Sequence, residues 1–181
     1  MTYTLEQIKQ KVKCALDQLW QSDKHLLKNN VNERSITHKL AIYIESEFEG
    51  YRVDCEYNRN GPNIKIYREI VEQINRSGIK ANDTKAKTAF PDIIVHKRGN
   101  NNDNLLVIEV KKLRGDATQT NSVDEVDKKK LKAFTHENQL KYKYGLALQI
   151  PVDGGNTANL FWFEKGAEKP PQEEYSMQCA V

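Results

Sequence analysis

The chain has 181 residues, enough for one domain with a real core and too few to divide comfortably into two. Hydrophobic residues make up 38% and charged residues 29%, and no apolar run nears the ~18 residues that a transmembrane helix needs, so a membrane partner is not expected. The formal charge of +3, from 28 basic and 25 acidic residues, does not by itself call for nucleic acid as a partner.

The opening MTYTLEQIKQKVK has no apolar stretch behind a basic start, so a secretory signal is not expected there. Cys14, Cys55 and Cys179 are widely spaced and make no paired metal pattern, so reduced thiols in a cytoplasmic setting are expected. Thr4 with Gln7 three residues on reads as a capping box, and Ile8, Val12, Ala15, Leu16, Leu19 and Trp20 follow at helical spacing. This first helix occupies the 1–30 region and stops at Asn29-Asn30. Asn32 caps a second helix, whose apolar stripe is Ile36, Leu40, Ile44 and Phe48 and whose end is Gly50.

Tyr51 to Tyr57 alternates with period two and predicts a strand. Residues 58–64 are turn-like, 65–76 have helical spacing, and 77–89 form a polar loop. Two strands, Asp92–His96 and Leu105–Val110, flank the turn chemistry of GNNNDN and predict an antiparallel hairpin. A loose loop over 113–123, a helix from about Val123 to Tyr144, and strands in GLALQIPV and NLFWFE complete the core at 32–163. The acidic, proline-containing stretch over 165–181 reads as a surface tail. This order predicts a single α/β domain over 1–181, a mixed sheet flanked by helices with an extra N-terminal helix.

The chemically informative stretch runs from Pro91-Asp92 through the hairpin to Glu109-Val110-Lys111. Residues two apart in a strand share a face, so Glu109 and Lys111 point together while Ile108 and Val110 pack. Charged groups at the end of an otherwise apolar strand are costly without partners. Hairpin pairing carries Asp92 to the same end, and two carboxylates and an ammonium converge. Two carboxylates supply hard oxygen ligands for Mg²⁺ (or Mn²⁺), which activates a bound water and meets a phosphate. The lysine then orients water or stabilises charge on the phosphorane-like transition state. The plain alternative is a salt-bridged hairpin end. Asp83-Thr84-Lys85 and Asp127-Lys128-Lys129 repeat the bare Asp-x-Lys spacing in polar settings, where it carries no meaning.

Pro91-Asp92 followed by Glu109-x-Lys111 resembles the PD-(D/E)xK nuclease superfamily, with its restriction-endonuclease-like fold. The resemblance covers roughly residues 32–150. Glu33-Arg34 opens the second helix as a Glu-Arg pair does in the Holliday-junction resolvases of that superfamily. The longer insert at 58–88 departs from those compact resolvases, so their substrate is not carried over. The resemblance implies a metal-dependent endonuclease acting on DNA rather than RNA, leaving 5′-phosphate and 3′-hydroxyl ends. It implies Asp92, Glu109 and the Val110 carbonyl as metal ligands, Lys111 as the water-positioning group, and Glu33 on metal or a metal-bound water. On its own residues Glu33 is an acid favoured by the helix N-terminus. Lys112, Arg114, Lys128, Lys129 and Lys130 are the candidate phosphate contacts, against the plain reading of a solvated helix face. Gln149 falls on the strand where some relatives place a polar residue near the metals. A homodimer is left open. The alternative from another class is a nuclease-like module that binds nucleic acid or a partner protein without cleaving.

Overall fold

The computed structural model describes residues 3–57, 90–99, 101–114, 122–136 and 140–179. Its elements are α1 (Leu5–Lys28), α2 (Glu33–Glu47), β1 (Arg52–Cys55), β2 (Ile93–His96), β3 (Leu106–Leu113), α3 (Glu125–Thr135), β4 (Tyr144–Pro151), β5 (Thr157–Glu164) and β6 (Ala167–Ser176). The six strands form one sheet in sequence order, antiparallel throughout except for the parallel β3–β4 pair. The protein is α/β, a mixed sheet with helices on both faces and an N-terminal helix. Among the described residues no helix is long and apolar enough to cross a membrane.

The pleat sorts the side chains into two cores. Leu106, Ile108 and Val110 of β3 join Leu146, Leu148 and Ile150 of β4 under α1 and α2, whose Ile8, Val12, Leu16, Ile36, Leu40 and Ile44 are fully buried. The opposite face carries Ile94, Val107, Ala147, Phe161 and Phe163, covered by Leu131 and Phe134 of α3. That second core is smaller, and it gives way to polar residues toward the C-terminal ends of β3 and β4.

The helix caps are those the sequence predicts. Thr4 and Gln7 form a reciprocal capping box, and Asn32 Oδ1 accepts the Arg34 N–H at 2.9 Å. Several boundaries differ. β3, expected to end at Val110, runs on to Leu113 because its whole length pairs with β4. The strand expected over Tyr51–Tyr57 is the shorter β1. The helix expected from Val123 to Tyr144 ends at Thr135, where Thr135 Oγ1 donates to the Leu131 carbonyl at 2.8 Å and accepts the Gly166 N–H at 3.1 Å. Leu140 and Tyr142 are apolar because they fill the second core from a turn and the irregular chain after it, not because the helix continues. The stretch over 165–181, expected as a surface tail, contains the edge strand β6. Lys165 and Gly166 both have positive φ, 52° and 75°, the two-residue turn that matches strand twist. Pro170 and Pro171 sit where the β5–β6 register shifts, at an outer edge that tolerates missing N–H donors. Ion pairs from Lys9 and Lys13 of α1 to Glu173, with Asp17 accepting from the Tyr175 hydroxyl and the Gln178 N–H, fasten β6 to α1. The turn at 58–64, the helix at 65–76, the loop at 77–89 and most of the loop at 113–123 lie outside the described residues.

Candidate functional site

The β2–β3 register runs from Val95↔Leu106 to Ile93↔Ile108, so β3 continues past the last paired residue of β2. The N–H groups of Val110 and Lys112, two apart, face that edge, which no described strand covers. Each meets a carboxylate: Asp92 Oδ2 accepts from Val110 at 2.7 Å, and Glu33 Oε2 accepts from Lys112 at 3.2 Å. Pro91 ends the strand and Asp92 caps what it leaves open. Glu33 reaches the same edge from the first turn of α2. The Val110 carbonyl lies on this edge too, since both polar groups of a strand residue face one neighbour.

Glu109 and Lys111 point to the α3 face of the sheet. Glu109 is 2% exposed, with Oε2 3.2 Å from Lys130 Nζ and Oε1 without a hydrogen-bond partner among the described residues. Asp127, 4% exposed, stands between the two lysines, with Lys111 Nζ at 3.7 Å from Oδ2 and Lys130 Nζ at 3.6 Å from Oδ1. Beside them Gln149, opposite Lys111 in the β3–β4 register, donates to the Ser122 carbonyl at 3.1 Å and accepts from Asn159 at 2.9 Å. That pair tethers the chain just before α3, whose start is capped by Asp124 on the Val126 N–H at 2.8 Å.

The electrostatics follow from four carboxylates, Glu33, Asp92, Glu109 and Asp127, facing two ammonium groups. Burial, with Asp92 and Asp127 beside it, pushes Glu109 up to about 8 although Lys130 opposes the shift. Burial also raises Asp92 despite the Val110 N–H, Lys111 and Lys130. For Lys111 burial works the other way, but Asp127, Glu33, Asp92 and Glu109 outweigh it and hold the ammonium above its usual range. Lys130 is likewise raised against burial, by Glu109, Asp127 and Asp92 together.

Among the described residues no group of three or more His, Cys, Asp or Glu side chains is arranged to hold a metal ion. The oxygens that could hold one are those of Asp92 and Glu109 with the Val110 carbonyl. A hard divalent cation that keeps several waters needs no more protein ligands than these. The unpartnered, buried Glu109 Oε1 is an oxygen suited to such an ion, since a bare buried acceptor otherwise costs about 1–3 kcal/mol.

The structure brings Glu33, Asp92, Glu109 and Lys111 together. It does not gather the five expected phosphate contacts on one free surface. Lys112 Nζ donates to Asn30 Oδ1 at 2.8 Å and to the Val31 carbonyl at 3.1 Å, tying β3 to the α1–α2 connection. Lys130 is turned into the site, and Lys128 pairs with Glu125 and Glu168 at 3.5 and 3.9 Å. Arg114 is exposed, and Lys129 is half-buried. Asp127 is the residue that sequence reasoning missed. Its signal was its place four before Leu131 and seven before Phe134, on the buried stripe of the helix. No protein-family model, curated protein or solved structure matches this chain.

Proposed function

We propose that this protein is a metal-dependent nuclease hydrolysing phosphodiester bonds, with DNA as the favoured substrate. The observation that carries the reading is that Asp92, Glu109 and Lys111 lie near enough to shift one another's ionisation, with one Glu109 oxygen buried and without a hydrogen-bond partner among the described residues. The reading also draws on the resemblance of Pro91-Asp92 and Glu109-x-Lys111 to the PD-(D/E)xK pattern.

Asp92, Glu109 and the Val110 carbonyl would hold Mg²⁺ or Mn²⁺, with Glu33 on the same edge for a metal-bound water. When bound, the ion supplies Lewis-acid stabilisation of the phosphate and an acidified water. Lys111 is held as an ammonium by the surrounding carboxylates, so it serves as a donor and not as a base. Its part is to orient the attacking water and to stabilise negative charge growing on the phosphoryl oxygens. Asp92 and Glu33 fix the β3 edge on which these groups sit.

One observation favours a second reading, a nuclease-like module that binds without cleaving: Glu109 already has a cation, Lys130, on one oxygen. Incubation with supercoiled, linear and branched DNA in Mg²⁺, Mn²⁺ or EDTA separates the two. Cleavage that EDTA abolishes is expected. Metal-independent binding with no cleavage of any DNA or RNA would replace the enzyme with the module.

A further inference from the structure

We propose that Lys130 is a positioning residue for Glu109: by holding Oε2 it fixes the carboxylate so that Oε1 is the ligating atom. This rests on the metal-centre reading above and adds a residue from α3 to it.

A glutamate has three rotatable bonds, and a buried one that must ligate through a given oxygen needs its other oxygen restrained. Lys130 Nζ does this at 3.2 Å, and its own place is fixed twice over. Its side chain is only 13% exposed, and Asp127 Oδ1 lies 3.6 Å away on the same helix, one turn earlier. Asp127 is buried and at the same time faces Lys111, so the two lysines are set relative to each other by one carboxylate. Oε1, by contrast, is buried and has no hydrogen-bond partner among the described residues. Carboxylate ligands are commonly hydrogen-bonded behind the metal, and losing such a support typically costs 10–100-fold in metal affinity.

The rival account is that Lys130 is a plain counter-ion which a metal must displace. The two accounts differ in sign. Removing a positive charge next to a cation site should tighten metal binding if Lys130 only competes. It should loosen binding if Lys130 holds the ligand in place. The test is titration of the full chain with Mn²⁺ alone, without nucleic acid, read by calorimetry or by the resonance signal of free Mn²⁺.

Lys130→Met is expected to bind Mn²⁺ about 10–100-fold more weakly than wild type, and Lys130→Arg, which keeps a charged N–H donor, to recover most of that loss. Lys132→Met, which removes an exposed cation of the same helix that makes no pair with Glu109, is the control and should not weaken binding. If Lys130→Met fails to fold, Lys130→Gln decides, being polar but one atom too short to hold Oε2. Equal or tighter Mn²⁺ binding in the folded Lys130 variant overturns the positioning role alone. Failure of the wild-type chain to bind Mn²⁺ overturns the metal centre and this proposal with it.

Discussion

Glu109 and Lys111 are neighbours on one strand face, yet neither is the other's direct partner. Glu109 pairs with Lys130 and Lys111 faces Asp127, so the salt-bridged hairpin end is replaced by a pairing between sheet and helix. This matters for what each substitution removes. Lys111→Ala takes away an ammonium and leaves both proposed ligands, so cleavage is expected to drop on the order of 10²-fold or more. Binding of DNA should largely survive, because phosphate contacts are spread over many residues. Full cleavage by the folded variant would sink the proposed role. Asp127→Asn keeps the shape but not the charge that holds both lysines. It is expected to lower the cleavage rate by roughly tenfold, a part of the Lys111 effect. Cleavage assays beside a thermal melt separate that loss from unfolding.

At the scale of elements, the site exists because β2 is shorter than β3. Where β2 stops, Asp92 and Glu33 take the backbone donors that a longer strand would have taken. The other half of the site depends on how closely α3 lies on the sheet. Gly145 of β4 allows that approach: a Cβ there would meet Thr135 Cγ2 at 3.1 Å, Phe163 Cβ at 3.2 Å and Leu131 Cδ2 at 3.3 Å. Gly145→Ala must push α3 outward, and overpacking of this kind costs about 1–3 kcal/mol. Because Asp127 and Lys130 ride on α3, cleavage and Mn²⁺ affinity should fall as well. Denaturant unfolding together with Mn²⁺ titration checks both, and unchanged stability would show that the helix accommodates a methyl group.

For the whole molecule the buried carboxylates make stability depend on pH. Glu109, pushed up to about 8, keeps its proton in the folded protein over a range where the unfolded chain has released it. The stability this contributes is present below its unfolded value near 4.5 and is lost as pH rises toward about 8. Asp92 is raised by burial and acts in the same direction. Asp54, held low chiefly by Arg98 and also by His96, acts in the opposite sense, as does Glu173, which Lys9 and Lys13 hold low against its burial. Their contributions are lost in acid. Melts in EDTA are therefore expected to be highest near pH 5 and to fall by at least roughly a few degrees by pH 8. Glu109→Gln should flatten the slope, and a wild-type profile that is level from pH 5 to 8 would contradict the buried state of Glu109. Since metal binding needs the ionised carboxylate, Mn²⁺ affinity should increase over the same interval.

Sequence alone determined the elements whose signals are local. The Thr4–Gln7 box and the Asn32 cap, the short apolar runs of β2 to β5, and the turn between Asp92 and Glu109 are all readable from neighbours a few residues apart. The placing of Asp92 beside Glu109 follows from hairpin register, which is also local. Tertiary structure decided what depends on long-range contact. The apolar run through Leu140 and Tyr142 carries the same letters whether it is helix or buried irregular chain, and only its packing under β4 and β5 chose. The 165–181 stretch looked polar because β6 is an exposed edge, and its hold on α1 joins residues more than 150 apart in sequence. Asp127 and Lys130 could be recognised as inward-facing only once α3 was laid across Glu109, because a charge on a helix stripe reads as solvated until the opposite surface is known.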